Sequence, residues 1–264
     1  MPQVGEHVIK LEREPCLFLF AHPDDECAIA GTMRQLLANG SEFHGMWVTS
    51  GGRFDLAERR ESELMQAMTV LGLPLSRVHL LRLPDLGLLD TLEDACDRVV
   101  RFMTEMRPAA VFVNAFEGGH PDHDAVNFVA YEARSRAGLQ PRLFEFPLYN
   151  GCGPLHHWRW QINRFPPSGS PALYTQLDND DIDCKYRIMR TYSSQWMFMI
   201  PARLALTRSR LKKLGEPYRP CPEDRDHTMR PHPGTLNYER WFNSFMKTRF
   251  DDFSRAVTSC RSAG

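Results

Sequence analysis

The sequence has no excess of charge of either sign, which argues against partners that are recognised through a protein's overall field. It has 32 Lys plus Arg against 33 Asp plus Glu, for a formal net charge of −1. A basic excess would favour nucleic acid, and a strong acidic excess would favour disorder. Its 264 residues are 42% hydrophobic, which suits one large globular domain. We therefore expect a small-molecule partner and no nucleic acid.

The sequence also lacks long apolar runs and paired cysteines. No apolar run reaches the length that spans a bilayer, and "MPQVGEHVIKLEREP" at the N-terminus has no apolar signal core. The seven cysteines are scattered and never form C-x-x-C, which argues against a disulfide framework or a structural zinc knot. These absences predict a soluble, cytoplasmic protein with reduced thiols and no membrane partner, and they leave the oligomeric state open.

Short apolar runs alternate with amphipathic stretches from about residue 16 to 150, a pattern typical of βαβ units and a parallel sheet. The predicted strands are "CLFLF", "FHGMWVTS", "VHLLRL", "AAVFVNA" and "RLFEFPLY". The predicted helices cover about 26–39, 55–71, 91–107 and 122–137. We predict a single α/β domain over residues 1–264, with its core at about 16–150.

Residues 151–264 are rich in Gly, Pro and aromatic clusters and predict an irregular C-terminal elaboration over the mouth of the sheet. Aromatic rings suit stacking on a sugar face, although core packing is the more ordinary role of any single ring. The rings open to both interpretations are Trp158, Trp160, Tyr192, Trp196, Tyr238 and Trp241.

Two histidine-proline-aspartate motifs follow two of the predicted strands. "HPDDE" (residues 22–26) follows the first strand, and "HPDH" (residues 120–123) follows the fourth. In open parallel sheets, ligands bind at the carboxyl ends of strands, where the strand order reverses. If the order is the common 3-2-1-4-5, the first and fourth strands are neighbours and the two motifs face each other.

Each motif alone has a simpler explanation. Asp24 or Asp25 could cap the following helix, and His22 could be a hydrogen-bonded histidine at a strand end. A cap requires no preceding histidine, however, so capping does not explain two H-P-D tripeptides at adjoining strand ends. Two imidazoles and one carboxylate match the three-ligand arrangement of catalytic zinc, and a similar set binds non-haem Fe(II). The spacing therefore predicts a metal site without choosing the metal.

These motifs carry a family resemblance. "AHPDDE", "TSGG", "RRESELMQAMTVLG" and "GGHPDHDAV" resemble the PIG-L/LmbE family of zinc-dependent N-deacetylases, over residues 16 to about 150. The resemblance implies a Rossmann-like, three-layer fold and one Zn²⁺ per chain. It also implies hydrolysis of the N-acetyl group of an N-acetylglucosamine-type amino sugar or glycoconjugate. Two alternatives are a zinc amidohydrolase for a non-sugar amide and an inactive binding module, although an inactive copy would have no reason to keep every motif.

The resemblance assigns the metal ligands and the general base. His22, Asp25 and His123 are expected to bind zinc, and Asp24 is expected to act as the base. This division is chemically reasonable, because zinc polarises a carbonyl and lowers the pKa of its bound water to about 7. A carboxylate one residue from a ligand can then take the water's proton.

The resemblance also implies roles for four other side chains. His120 would stabilise the oxyanion or protonate the leaving amine, and Asp122 would orient it. Asp85, in "LPDLGL", and Arg53, after "TSGG", would bind substrate hydroxyl or anionic groups. The alternatives for these last two are a turn aspartate and a solvated arginine.

Three further charged residues lie close to these motifs in the sequence. Glu26 could support a ligand histidine from behind or simply favour the first helical turn. Arg60 and Glu63, three residues apart on the second predicted helix, are expected to pair with each other.

Overall fold

The protein is described by a computed structural model that covers residues 14–52, 55–152, 161–167, 169–240 and 248–263. The main sheet has seven strands in the order β3-β2-β1-β4-β5-β9-β8, and β6 and β7 form a separate two-stranded sheet. The strands are β1 (Cys16–Phe20), β2 (Phe43–Thr49), β3 (Val78–Leu83), β4 (Ala110–Asn114), β5 (Arg142–Phe146), β6 (Tyr149–Asn150), β7 (Gln161–Ile162), β8 (Leu173–Thr175) and β9 (Glu216–Pro220).

The described helices flank this sheet. They are α1 (Ala30–Ala38), α2 (Asp55–Leu71), α3 (Leu92–Met106), α4 (Pro121–Arg136), α5 (Asn179–Thr191), α6 (Trp196–Ala205), α7 (Arg208–Leu214), α8 (Asn237–Arg240) and α9 (Phe250–Ala263). Short 3₁₀ turns cover Asp25–Ala28, Leu75–Arg77, Leu88–Thr91 and Ser193–Gln195. No helix in these described ranges is both long and apolar enough to cross a membrane.

The first five strands are parallel and have the predicted 3-2-1-4-5 order. β1 is buried along its whole length and pairs with β2 on one side and β4 on the other. Because side chains alternate along a strand, β1 contributes buried side chains to both faces of the sheet. Leu17 and Leu19 pack with α3 and α4, whereas Phe18 and Phe20 pack with α1, α2 and α5. The result is the predicted three-layer α/β fold.

The segment after residue 150 is more regular than its composition indicates. β9 pairs antiparallel with β5, and β8 pairs antiparallel with β9, so the C-terminal part extends the main sheet. Pro217 and Pro220, the second and last residues of β9, suit a short strand near a sheet edge.

A buried ion pair fastens the C-terminal part to the front of the domain. Lys185 on α5 lies 2.7 Å from Glu216 on β9, and both side chains are fully buried. Glu216 also accepts hydrogen bonds from the backbone amides of Gly31 and Thr32 at the start of α1. The C-terminal part is therefore packed directly behind the helix that follows the "HPDDE" motif.

Candidate active site

The carboxyl ends of β1 and β4 bring the two histidine motifs together. Leu19 of β1 is in register with Val113 of β4. The segments that follow these two strands therefore leave the sheet side by side at its carboxyl edge. Asn114, at the end of β4, links the two exits. Its Oδ1 accepts from the Ala21 amide at 3.1 Å, and its Nδ2 donates to Asp25 Oδ2 at 2.9 Å. The predicted convergence of the motifs is confirmed.

The first motif turns sharply before its 3₁₀ turn. Asp24 has φ 112°, a conformation that costs energy for a residue with a side chain. The Asp25 carboxylate accepts from the backbone amide of His22 at 2.9 Å and so closes the turn. The strained backbone points consecutive carboxylates in different directions, with Asp25 at the histidines and Asp24 at Arg60.

The second motif begins helix α4. His120 is the residue before the helix, and Pro121 occupies the first helical position, where its missing amide costs nothing. Gly119 precedes it with almost no space around its α-carbon, because a Cβ there would lie 2.0 Å from the Tyr149 carbonyl oxygen. A glycine is required to let β6 pack against this turn, which fixes the position of His120.

The three predicted metal ligands have their donor atoms close together. His22 Nδ1 lies 3.2 Å from His123 Nε2, and His123 Nε2 lies 3.2 Å from Asp25 Oδ1. Ligand atoms about 2 Å from a tetrahedral zinc ion lie about 3.3 Å apart, so these separations fit such a centre. Two imidazole nitrogens that face each other beside a carboxylate are also a donor set suited to a divalent cation. The residues present therefore fit the implied metal.

The other ring nitrogen of His22 has carboxylate partners. His22 Nε2 lies 3.1 Å from Asp85 Oδ1 and 3.2 Å from Asp122 Oδ2. A histidine that binds metal through one nitrogen commonly donates its other N–H to a carboxylate, which fixes the ring. Burial alone would lower the pKa of His22, but hydrogen bonds to Asp122, Asp25 and Asp85 raise it well above its ordinary value.

The cluster offers more than one possible ligand set. Donor atoms of His22, His120 and His123 lie within 4.8 Å of one another, as do those of His22, Asp85, His120 and Asp122. His22 belongs to every set. Neither of these two groups contains Asp25, so they differ from the predicted set of His22, Asp25 and His123.

Asp24 is paired with an arginine that sequence reasoning assigned elsewhere. Arg60 Nη2 lies 2.8 Å from Asp24 Oδ1, and the arginine also donates to the carbonyl oxygens of Gly51 and Pro23. Burial raises the pKa of the Asp24 carboxyl to about 6, although the Arg60 charge acts in the opposite direction. The expected Arg60–Glu63 pair is wrong, because Glu63 instead bonds Arg59 and the Ser193–Ser194 turn.

His120 and Asp122 interact differently from the expectation. It is the backbone amide of Asp122 that donates to His120 Nδ1, at 3.1 Å, whereas the Asp122 carboxylate contacts His22 and the Leu86 amide. Because Nδ1 accepts, the proton of neutral His120 is on Nε2. Burial, and then the nearby His22 and His123 charges, lower the pKa of His120 well below its usual value.

The two expected substrate-binding residues have different outcomes. Asp85 lies in the cluster, is partly exposed, and contacts His22. Burial alone would raise the pKa of Asp85, but the hydrogen bond to His22 lowers it. Arg53 lies outside the described residues, as do Trp158, Trp160 and Trp241.

A buried polar network supports the first motif from the side of the C-terminal segment. Glu26 accepts from Trp47 Nε1 at 3.1 Å and from the Tyr192 hydroxyl at 2.5 Å. Glu26 also accepts from the Asp24 backbone amide at 3.1 Å. Its described partners are not ligand histidines, so the first of its two interpretations, support of a ligand histidine, is wrong. Tyr192 and Tyr238 are buried and cannot stack on a sugar, whereas Trp196 is exposed.

Sequence reasoning missed Arg60 and Asn114, and both had a detectable signal. Arg60 occupies the apolar stripe of α2, between Ala57 and Leu64, where a solvated arginine is out of place. Asn114 closes the otherwise apolar run "AVFVN". In each case a polar residue at a predicted core position marked the site.

The fold and site define an α/β protein of the LmbE type with a His/Asp cluster at its central strand ends. A crystal structure of a zinc-inhibited form of teicoplanin deacetylase superposes with a TM-score of 0.61 at 14% identity, covering 80% of this chain and 100% of that one. At this identity the likeness shows the fold alone.

Sequence comparison then gives the family. Residues 17–134 match the PIG-L family, described as GlcNAc-PI de-N-acetylase. The chain is 30% identical to diacetylchitobiose deacetylase of Thermococcus kodakarensis over 190 residues, which are 66% of this chain and 67% of that protein. It is 29% identical over 126 residues to a probable N-acetylglucosaminyl-phosphatidylinositol de-N-acetylase of Schizosaccharomyces pombe, covering 44% of this chain and half of the relative. The chain belongs to the PIG-L family, and it is an amide-hydrolysing enzyme.

Proposed function

We propose that the protein is a zinc-dependent N-deacetylase of an N-acetylglucosamine-type amino sugar or glycoconjugate, releasing acetate and a free amine. One relative is described as a deacetylase of diacetylchitobiose and another as a probable de-N-acetylase of N-acetylglucosaminyl-phosphatidylinositol. Both of these substrates contain N-acetylglucosamine. The observation that carries the proposal is that His123 Nε2 lies 3.2 Å from both His22 Nδ1 and Asp25 Oδ1, beside the separate, partly exposed carboxylate of Asp24.

We assign His22, Asp25 and His123 as the residues that would hold the metal. When bound, zinc would supply Lewis acidity toward the amide carbonyl and lower the pKa of a coordinated water. Asn114 and the His22 amide hold the Asp25 carboxylate, while Asp85 and Asp122 hold the His22 ring. These contacts fix the directions of the Asp25 and His22 side chains before substrate arrives.

Asp24 is the general base in this proposal. Its carboxylate is adjacent to Asp25 in sequence and held by Arg60, so it has one fixed orientation. There it accepts the proton of the attacking water. A positioned base of this kind contributes about 10²–10⁴-fold to the rate.

We propose that His120 acts on the carbonyl oxygen or on the leaving amine of the amide. Because its Nδ1 accepts from the Asp122 amide, neutral His120 carries its proton on Nε2, and this N–H would donate toward the oxygen or nitrogen of the scissile group. Asp85, partly exposed beside His22, is proposed to bind substrate hydroxyls, and Arg53 is proposed to bind a hydroxyl or anionic group of the substrate.

Acetate release tests the substrate class. The purified chain should release acetate from N-acetylglucosamine or diacetylchitobiose and should lose activity after treatment with a chelator. Asp24→Asn, which keeps the shape of the side chain, should reduce the rate by about 10²–10⁴-fold. Hydrolysis of N-acetyl amino acids without hydrolysis of the sugars would overturn the assignment to an amino sugar.

A further inference from the structure

Helix α6 exposes an unusual density of large apolar side chains. Five of the eleven that are exposed in the described part of the chain lie in this helix: Trp196 (60%), Met197 (66%), Phe198 (49%), Ile200 (50%) and Leu204 (74%). We call these five residues the α6 apolar surface. A contiguous exposed apolar patch on a protein marks an interaction site.

The side of α6 that faces the core is partly buried against the rest of the protein. Met199 and Ala202, three residues apart, pack against the core cluster beneath the sheet. Arg203 is the one charged residue of the helix, and the five exposed apolar side chains are not among the described residues that pack into this cluster. A helix of this kind in water requires a second apolar contact.

Basic residues accompany this surface. From Ser193 to Gly215 the sequence has five basic residues and no acidic one. The Arg203 and Arg208 guanidinium groups lie over the same Tyr186 ring, at 5.4 and 5.6 Å from its centroid, beside the end of α6. Asp183 pairs with Arg208, while Lys212 and Lys213 on α7 are exposed. The segment from Ser193 to Gly215 therefore carries a net positive charge, and Arg203 lies in the same helix as the apolar surface.

We propose that the α6 apolar surface docks on an anionic membrane surface. Exposed Trp and Phe supply apolar area that can be buried in the membrane interface, and the Lys and Arg that follow them in the chain supply attraction to anionic lipids. A second copy of the chain fits less well, because a two-fold contact through this surface would bring the same basic residues together. Peripheral docking requires no spanning helix. It departs from the expectation of no membrane partner, which was based on the lack of an apolar run long enough to span a bilayer.

The anchoring of α6 connects this surface to the candidate active site. Ser194, two residues before the helix, donates to Glu63 on α2, and Tyr192 donates to Glu26 beside Asp25. Docking through α6 would therefore hold the catalytic end of the sheet near the membrane surface.

Vesicle sedimentation tests this proposal. The full chain should sediment with vesicles of equal parts phosphatidylglycerol and phosphatidylcholine, less with phosphatidylcholine alone, and less as salt is raised. The double variant Trp196→Ser/Phe198→Ser should weaken binding at least about tenfold. Lys212→Glu/Lys213→Glu should weaken it about fivefold or more per residue.

Matched controls distinguish docking through α6 from nonspecific hydrophobic adsorption to vesicles. Leu75→Ser and Met229→Ser also remove exposed apolar side chains, outside α6, and should bind vesicles as the wild type does. Failure of the wild type to bind anionic vesicles, or equal binding by the α6 variants, would overturn the proposal. So would self-association in sedimentation velocity that Trp196→Ser/Phe198→Ser abolishes, since it would identify a protein interface.

Discussion

Arg60 and Asp24 form a contact at residue scale that links helix α2 to the proposed base. Arg60 is buried, and its guanidinium bridges Asp24 and the turn at Gly51. The sequence indicated the carboxylate but not its partner, because the pairing depends on a fold that brings residues 36 positions apart into contact. The helical periodicity predicted α2 correctly, but the spacing along that helix predicted Glu63 as the partner of Arg60 instead of Asp24.

We expect Arg60→Gln to lower the deacetylation rate by about 10–100-fold while the zinc content stays unchanged. The reason is that Asp24 would lose the group that orients it, whereas the proposed ligands would not. Rate measurements and metal analysis check this. Arg82→Gln, which removes an exposed arginine paired with Glu61, is the control and should behave as wild type. Loss of zinc in Arg60→Gln would show that the arginine supports the ligands instead.

Gly119 gives a second prediction at this scale. Gly119→Ala should abolish activity, because its Cβ would overlap the Tyr149 carbonyl oxygen and displace His120. Gly40→Ala is the comparison, since Gly40 has φ +74° but open space around it. It should cost about 1 kcal/mol of stability and leave the rate unchanged. Full activity of a folded Gly119→Ala protein would contradict the packing argument.

At the scale of elements, the central strands and their helices follow from local patterns. β1 and β3 coincide with "CLFLF" and "VHLLRL", and α2 covers the predicted 55–71. β8 and β9 were not predictable in this way. They are short, contain or adjoin prolines, and exist as strands only because they pair with distant residues of β5 and with each other.

The buried Lys185–Glu216 pair should carry much of the attachment of the C-terminal part. Lys185→Met would leave Glu216 charged and buried without its cation, which costs about 3–5 kcal/mol. Denaturant unfolding measures this loss. Arg208→Met breaks the exposed pair with Asp183 and should cost no more than about 1 kcal/mol. Equal effects of the two substitutions would mean that the buried pair has no special role.

At the scale of the whole molecule, several acidic side chains converge on the site that is proposed to bind zinc. Asp24, Asp25, Asp85 and Asp122 converge there with Arg60 as the nearby permanent cation among the described contacts. Removal of the metal should therefore lower the thermal midpoint as well as the activity. Differential scanning calorimetry with and without added zinc checks this, and an unchanged midpoint would argue against binding to this cluster.

Zinc stoichiometry of three variants tests the central claim most directly. Metal analysis of purified, zinc-reconstituted protein should give about one ion per chain for the wild type, for Asp24→Asn and for His120→Ala, and little for His123→Ala. Both Asp24→Asn and His120→Ala should nevertheless be poor catalysts. If His123→Ala bound zinc as well as the wild type, or if His120→Ala lost it, the assignment of His22, Asp25 and His123 as the ligands would be wrong.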